Sequence, residues 1–192
     1  SKVQTFQLMF GDAWAFNQDI GGWNTSAATN MSYMFMSAVH FNQDISGWNV
    51  SHVTEFQHMF NNAQAFNSPL NAWNTSSAVN MEAMFQGQSV FNLPLDNWNT
   101  SNVVWMDYMF ADQSSFNQSL SSWDVSKVQF FQNMFRSNQA FNSSLAGWRP
   151  SSGINFDGMF WEARNFNQDI SAWTVGNGQS FALMFLNADA FN

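Results

Sequence analysis

Along the chain, apolar and polar positions recur every 25 residues without an insertion or deletion. Met-Phe stands at 9–10, 34–35 and 59–60 and returns at that interval to 184–185. Trp recurs at 23, 48, 73, 98, 123, 148 and 173, each time with Ile or Leu three residues before it. Phe-Asn recurs from 16–17 to 191–192. A fixed period of this length means that one supersecondary unit stacks on the next, so equivalent side chains form ladders.

Two rhythms alternate inside a unit. Val53, Phe56, Met59, Phe60 and Ala63 fall three and four apart, the spacing of a helical stripe. Ser stands two residues ahead of the first of these positions in seven of eight units, from Ser1 to Ser151, where a helix N-cap belongs. Ser51 to about Asn61 therefore reads as a short α- or 3₁₀-helix. Upstream, Trp48 and Val50 alternate with Gly47 and Asn49, and Val or Thr holds the Val50 place in six of seven units. Ile45 to Val50 reads as a short strand. The predicted fold is α/β: a right-handed solenoid of the leucine-rich-repeat kind, with one short parallel strand and one short helix per turn. An all-strand parallel β-helix is the alternative. Residues 1–192 make a single stack of about 7.7 repeats (192/25) and read as a portion of a longer chain.

Composition supplies a core and removes several function classes. The chain holds 22 Phe, 12 Met and 10 Trp, yet only 9% of it is charged, against about 25% in a typical domain. Five Lys and Arg against 13 Asp and Glu leave a net charge of −8, which argues against nucleic acid and anionic membrane surfaces. Without Cys there is neither a disulfide framework nor a thiolate metal site. No apolar run approaches the length of a membrane-spanning helix. His40, His52 and His58 occupy three different repeat positions, and Asp19, Asp44 and Asp169 have no counterpart in the other units, so no metal cage is expected. No nucleophile–base set or phosphate loop stands out. The expectation is a protein without catalytic residues, cofactor or metal.

The segments FNQDISGWNVSHVTEFQHMF (41–60) and FNQSLSSWDVSKVQFFQNMF (116–135) resemble the 25-residue repeat of BspA-type leucine-rich surface proteins, the mycoplasma-lipoprotein kind. The pattern covers essentially the whole chain and departs from it at Arg149-Pro150, Gly153, Gly176 and Gly178. The resemblance implies a leucine-rich-repeat-like fold, exposed at the cell surface or secreted, serving adhesion, protein–protein contact or scaffolding.

Candidate sites are the places where the columns change. Trp105 and Phe130 stand where other units carry Asn30, Glu55 or Asn80, and Trp161 and Leu186 stand where Asn61, Gln86 and Arg136 sit elsewhere. Both pairs are expected as neighbouring apolar patches on an outer face, suited to a protein partner. Asn24, Asn49, Asn74, Asn99 and Asp124 form an outward row that offers an alternative carbohydrate or peptide site. Asn24, Asn30, Asn49, Asn74, Asn99, Asn117 and Asn142 open N-x-[ST] sequons, the acceptor pattern for glycosylation. Asn42 and its equivalents, which follow a core Phe, are expected inside the stack, bonded to loop backbone. The two ends keep consensus core residues, which points to self-assembly through them or to coverage by further chain.

Overall fold

The computed structural model describes residues 3–192. Positions in the repeat are numbered here from the first unit, so position 8 means Leu8 and its equivalents every 25 residues. The expected helix is absent: among the described residues none is helical. The reason lies in two columns. Every residue at position 8 and position 12 has positive φ, for example Tyr33 (60°) with Ser37 (56°), Tyr108 (56°) with Asp112 (57°), and Ala83 (50°) with Gly87 (73°). A right-handed helix needs φ near −63° throughout, so two left-handed residues four apart convert the segment into a run of tight turns.

The same geometry divides the backbone N–H groups into two sets. Met34, Met36, Ala38 and Phe41 donate locally, to the carbonyls of Met31, Tyr33, Phe35 and Ala38. The alternate residues Met31, Tyr33, Phe35 and Ser37 donate one turn onward, to Glu55, Gln57, Met59 and Asn61, at 2.7–2.9 Å. Apolar residues three and four apart are thus the inward corners of successive turns and not the stripe of a helix. Formal β-structure is reduced to one residue per turn. It consists of the parallel bridges that run from Thr5↔Asn30 through Asn80↔Trp105 and Trp105↔Phe130 to Asn155↔Ser180. That is too little strand for an α/β fold and for the all-strand alternative alike.

Pairing between turns also lies on the opposite half from the one expected. Ile45 to Val50 forms no bridge; Trp48 N–H closes a local turn on the Ile45 carbonyl at 3.1 Å. Successive Trp corners are joined by side chains instead. The Trp73 indole N–H donates to the Ile45 carbonyl at 3.1 Å and that of Trp98 to Leu70 at 2.9 Å, while Thr75 Oγ1 donates to the Asn99 carbonyl at 3.0 Å. Pro150, which has no N–H to give a ladder, sits in a corner where the main chain makes none.

Aromatic columns fill the space between the two halves. Phe rings of the Met-Phe column follow one another at 5.5–5.8 Å, and each lies on the ring six residues ahead, as Phe35 does on Phe41 at 3.9 Å. Trp48, Trp73, Trp98, Trp123 and Trp148 are buried, whereas Trp23 and Trp173, toward the outermost turns, are exposed and half-buried. Full burial of each such ring is worth about 1.5–3 kcal/mol, and stacked neighbours add about 0.5–1.5 kcal/mol.

Asn42 and its equivalents bond as expected but are not internal. They are exposed, and the side-chain carbonyls of Asn17, Asn42, Asn92, Asn117, Asn142 and Asn167 accept the backbone N–H of the counterpart one turn on, as in Asn42 Oδ1 from Asn67 at 2.8 Å and Asn92 Oδ1 from Asn117 at 2.9 Å.

Two stability measurements check this description by urea unfolding. Ser37→Gly should raise stability by about 0.5–1 kcal/mol, because glycine adopts positive φ without the penalty of a side chain. A loss of about 1 kcal/mol, the cost of glycine inside a helix, would restore the helical reading. Asn92→Ala should cost about 0.5–1.5 kcal/mol, since water reaches the N–H group it frees; no measurable loss would remove the structural role of this row.

Candidate functional site

The outer face carrying positions 5 and 7 shows what Trp105 and Phe130 replace. In four of the eight turns the position-5 side chain accepts the N–H two residues on. Asn30 Oδ1 takes that of Ser32 at 2.8 Å, Asn80 Oδ1 that of Glu82 at 2.9 Å, and Asn155 Oδ1 that of Asp157 at 2.8 Å. An indole or a phenyl ring offers no such acceptor. From the turn preceding that of Phe130, Asp107 compensates: its Oδ1 accepts the Gln132 N–H at 2.9 Å. Two neighbouring turns therefore give up a local hydrogen bond to hold aromatic rings outward.

Those rings do meet. Trp105 and Phe130 stack at 6.2 Å with 5° between their planes, and Trp105 remains 37% exposed. Val79 and Val104 extend the apolar surface as half-buried neighbours one position upstream. Asp107 is buried beside this face. Burial first, and the Glu82 carboxylate second, push its carboxyl up to about 6, against the opposing hydrogen bond from Gln132. Glu82 itself lies 3.8 Å from His58, which stacks on Tyr33 at 4.8 Å.

Trp161 and Leu186 occupy equivalent places in adjacent turns. Trp161 is half-buried with an unpaired, buried indole N–H, and Leu186 is 43% exposed. The row Asn24, Asn49, Asn74, Asn99 and Asp124 is exposed, and its oxygens are engaged. Each accepts the N–H of the Ser two residues on, at 2.9–3.1 Å. These bonds close Asx turns, so Ser26, Ser51, Ser76, Ser101 and Ser126 are turn donors and not helix caps. The same contact, from Ser126, holds the Asp124 carboxyl below the usual carboxylate range. All seven sequon asparagines spend their side-chain oxygen on a backbone N–H: Asn30 joins the row through Ser32, and Asn117 and Asn142 through Asn142 and Asn167.

One interior feature escaped the reading of the sequence. Position 13 is a core Ala at 38, 63 and 163, but Gln88, Gln113 and Asn138 replace it in three consecutive turns and are buried. Their amide nitrogens donate to the Phe60, Phe85 and Phe110 carbonyls, while their oxygens have no partner. The substitution of three adjacent alanines was the available signal. At the two faces of the stack, the N–H groups of Phe181, Leu183, Phe185 and Asn187 and the carbonyls of Thr5, Gln7, Met9 and Gly11 are the groups that pair with a neighbouring turn elsewhere, with none beyond them among the described residues.

The pattern of a family described as "Mycoplasma protein of unknown function, DUF285" matches residues 1–97 and again residues 85–192. No curated protein and no solved structure matches the chain. Among the described residues no helix is long and apolar enough to cross a membrane.

Asp107 gives this face a pH signature. A carboxyl whose folded pKa is raised from 3.8 to about 6 contributes stability that is present below about pH 4 and lost as pH rises through about 6. Asp107→Asn keeps the oxygen that Gln132 needs and removes the charge. At pH 7.5 the variant should be more stable than the parent by about 1–2 kcal/mol, with the difference gone by about pH 4. Urea midpoints at the two pH values read this directly, and a variant less stable at pH 7.5 would refute the assignment.

Proposed function

We propose that this chain, which belongs to DUF285, the mycoplasma family of unknown function, is a non-enzymatic repeat module making protein–protein contacts at a cell surface or in secreted form. The observation that carries the reading is the Trp105–Phe130 stack, held outward on a face where the other turns place Asn, Glu, Thr or Ser. An aromatic pair of an exposed Trp and a half-buried Phe, with apolar neighbours, has the character of an interaction site. The repeated 25-residue pattern supports the finer kinship with BspA-type surface proteins, although the unit here lacks their helix. The Asn row is the weaker candidate for carbohydrate, because its oxygens already close turns.

Trp105→Asn with Phe130→Asn tests the reading without disturbing the fold, since Asn is the residue of neighbouring turns at this position. Fluorescently labelled protein should bind epithelial cells saturably, and mild trypsin treatment of the cells should abolish the binding. The double variant should bind at least about tenfold more weakly, as expected when interface aromatics are truncated. Binding that is glycosidase-sensitive and unchanged in the variant would move the function to carbohydrate; absence of saturable binding would refute surface contact by this face.

A further inference from the structure

The aromatic face has an acidic border and no basic one. Positions 4, 5 and 7 hold no Lys or Arg in any turn, whereas Glu55, Glu82, Asp107 and Asp157 all lie in them. Contacts between turns show how these columns meet. Asn80 Nδ2 donates to Gln57 Oε1, and Asn155 Nδ2 donates to Gln132 Oε1 at 3.5 Å. A position-5 side chain therefore lies against the position-7 side chain of the preceding turn. The same register seats the Trp105 indole beside Glu82 and the Phe130 ring beside Asp107. Two basic groups of the same turns are held by other partners: Arg136 pairs with Asp112 at 2.6 Å and lies over Tyr108, and Lys127 donates to Asn102 at 2.7 Å. Of the titratable groups around Glu82, only His58 could compete for it.

We propose that the Trp105–Phe130 face is a docking site for an arginine side chain of a partner protein, the guanidinium lying on the exposed indole and donating to Glu82. The site rests on the contact reading above and deepens it by naming the chemistry of the partner. A guanidinium is planar and weakly hydrated, so it stacks on an aromatic ring while its fork engages a carboxylate. A lysine ammonium is more strongly hydrated and matches this combination less well. An exposed ring and an adjacent carboxylate, paired with no Lys or Arg among the described residues, are the two halves of such a site.

Calorimetric titration of residues 1–192 with hexa-arginine and hexa-lysine peptides, at near-physiological salt, tests the proposal. Hexa-arginine should bind saturably and several-fold tighter than hexa-lysine. Trp105→Asn with Phe130→Asn should weaken hexa-arginine at least about tenfold, and Glu82→Gln should weaken it by a similar factor. Asp189→Asn, which removes a distant acid near Arg164, should leave it unchanged. Near pH 6 the arriving cation should expel part of a proton from Asp107, seen as a heat that varies with the ionisation enthalpy of the buffer and is absent in Asp107→Asn. Equal binding by the aromatic double variant would mean that net charge alone holds the peptide, and would overturn the site, as would undetectable binding at this salt. If the double variant loses cell-surface binding while hexa-arginine fails to bind, the contact reading stands and the arginine site falls. If the variant binds cells as the parent does, the contact reading falls first.

Discussion

The division of backbone N–H groups into a local set and a lateral set is the constraint on which the rest depends. In the segment from position 8 to position 12, alternate residues donate to the carbonyl one turn onward and to the carbonyl three residues back. From position 8 to position 12, wherever a further turn follows, every amide is engaged in one of these two ways, and none is available for a helix. A left-handed residue at positions 8 and 12 is the condition for this alternation. Each costs about 1–2 kcal/mol when it is not glycine, an expense met only because every turn is gripped by the next. An isolated unit would have the strain without the lateral bonds, so the unit cannot be stable apart from the stack.

The corner carrying Trp solves the same problem by other means. Its main chain makes no lateral bonds, and side chains take over: indole N–H groups reach the carbonyl of the preceding corner, and Thr hydroxyls reach the next one. Asn columns complete the scheme on the outside, bonding laterally at position 17 and closing turns at position 24. A chain with 9% charged residues can thus carry a polar surface: its amides and hydroxyls are largely committed to backbone. The same economy commits the side-chain oxygens of the Asn row and of the sequons to backbone N–H groups.

Against so uniform a surface, departures carry the functional information. Trp105 and Phe130 forgo the turn-closing acceptor that Asn provides in neighbouring turns, and Asp107 is drawn into burial to replace it for Gln132. The buried amides of Gln88, Gln113 and Asn138 fall in overlapping turns of the stack, so the middle of the chain differs from the consensus both inside and out. Stacking of equivalent positions in adjacent turns turns two single substitutions into one apolar patch.

The sequence by itself determined the period, the register and the identity of the core. Phe41, Ile45, Trp48, Val53, Phe56, Met59 and Phe60 are all buried where periodicity placed them, because inward positions must be apolar whatever backbone carries them. It also placed Trp105 beside Phe130, since a fixed period makes equivalent residues neighbours. The backbone conformation was a different matter. Three-and-four spacing is shared by a helix and by a succession of tight turns, and the deciding signal lay down a column: position 12 reads Asp12, Ser37, Asn62, Gly87, Asp112, Ser137, Glu162 and Asn187. Asn, Asp and Gly tolerate positive φ, but no single unit shows that preference. Only the tertiary structure decided which half of the unit pairs laterally and that the position-17 asparagines face water. Both depend on which carbonyl of a neighbouring turn comes within about 3 Å of a donor, a distance that no order of residues along one chain contains.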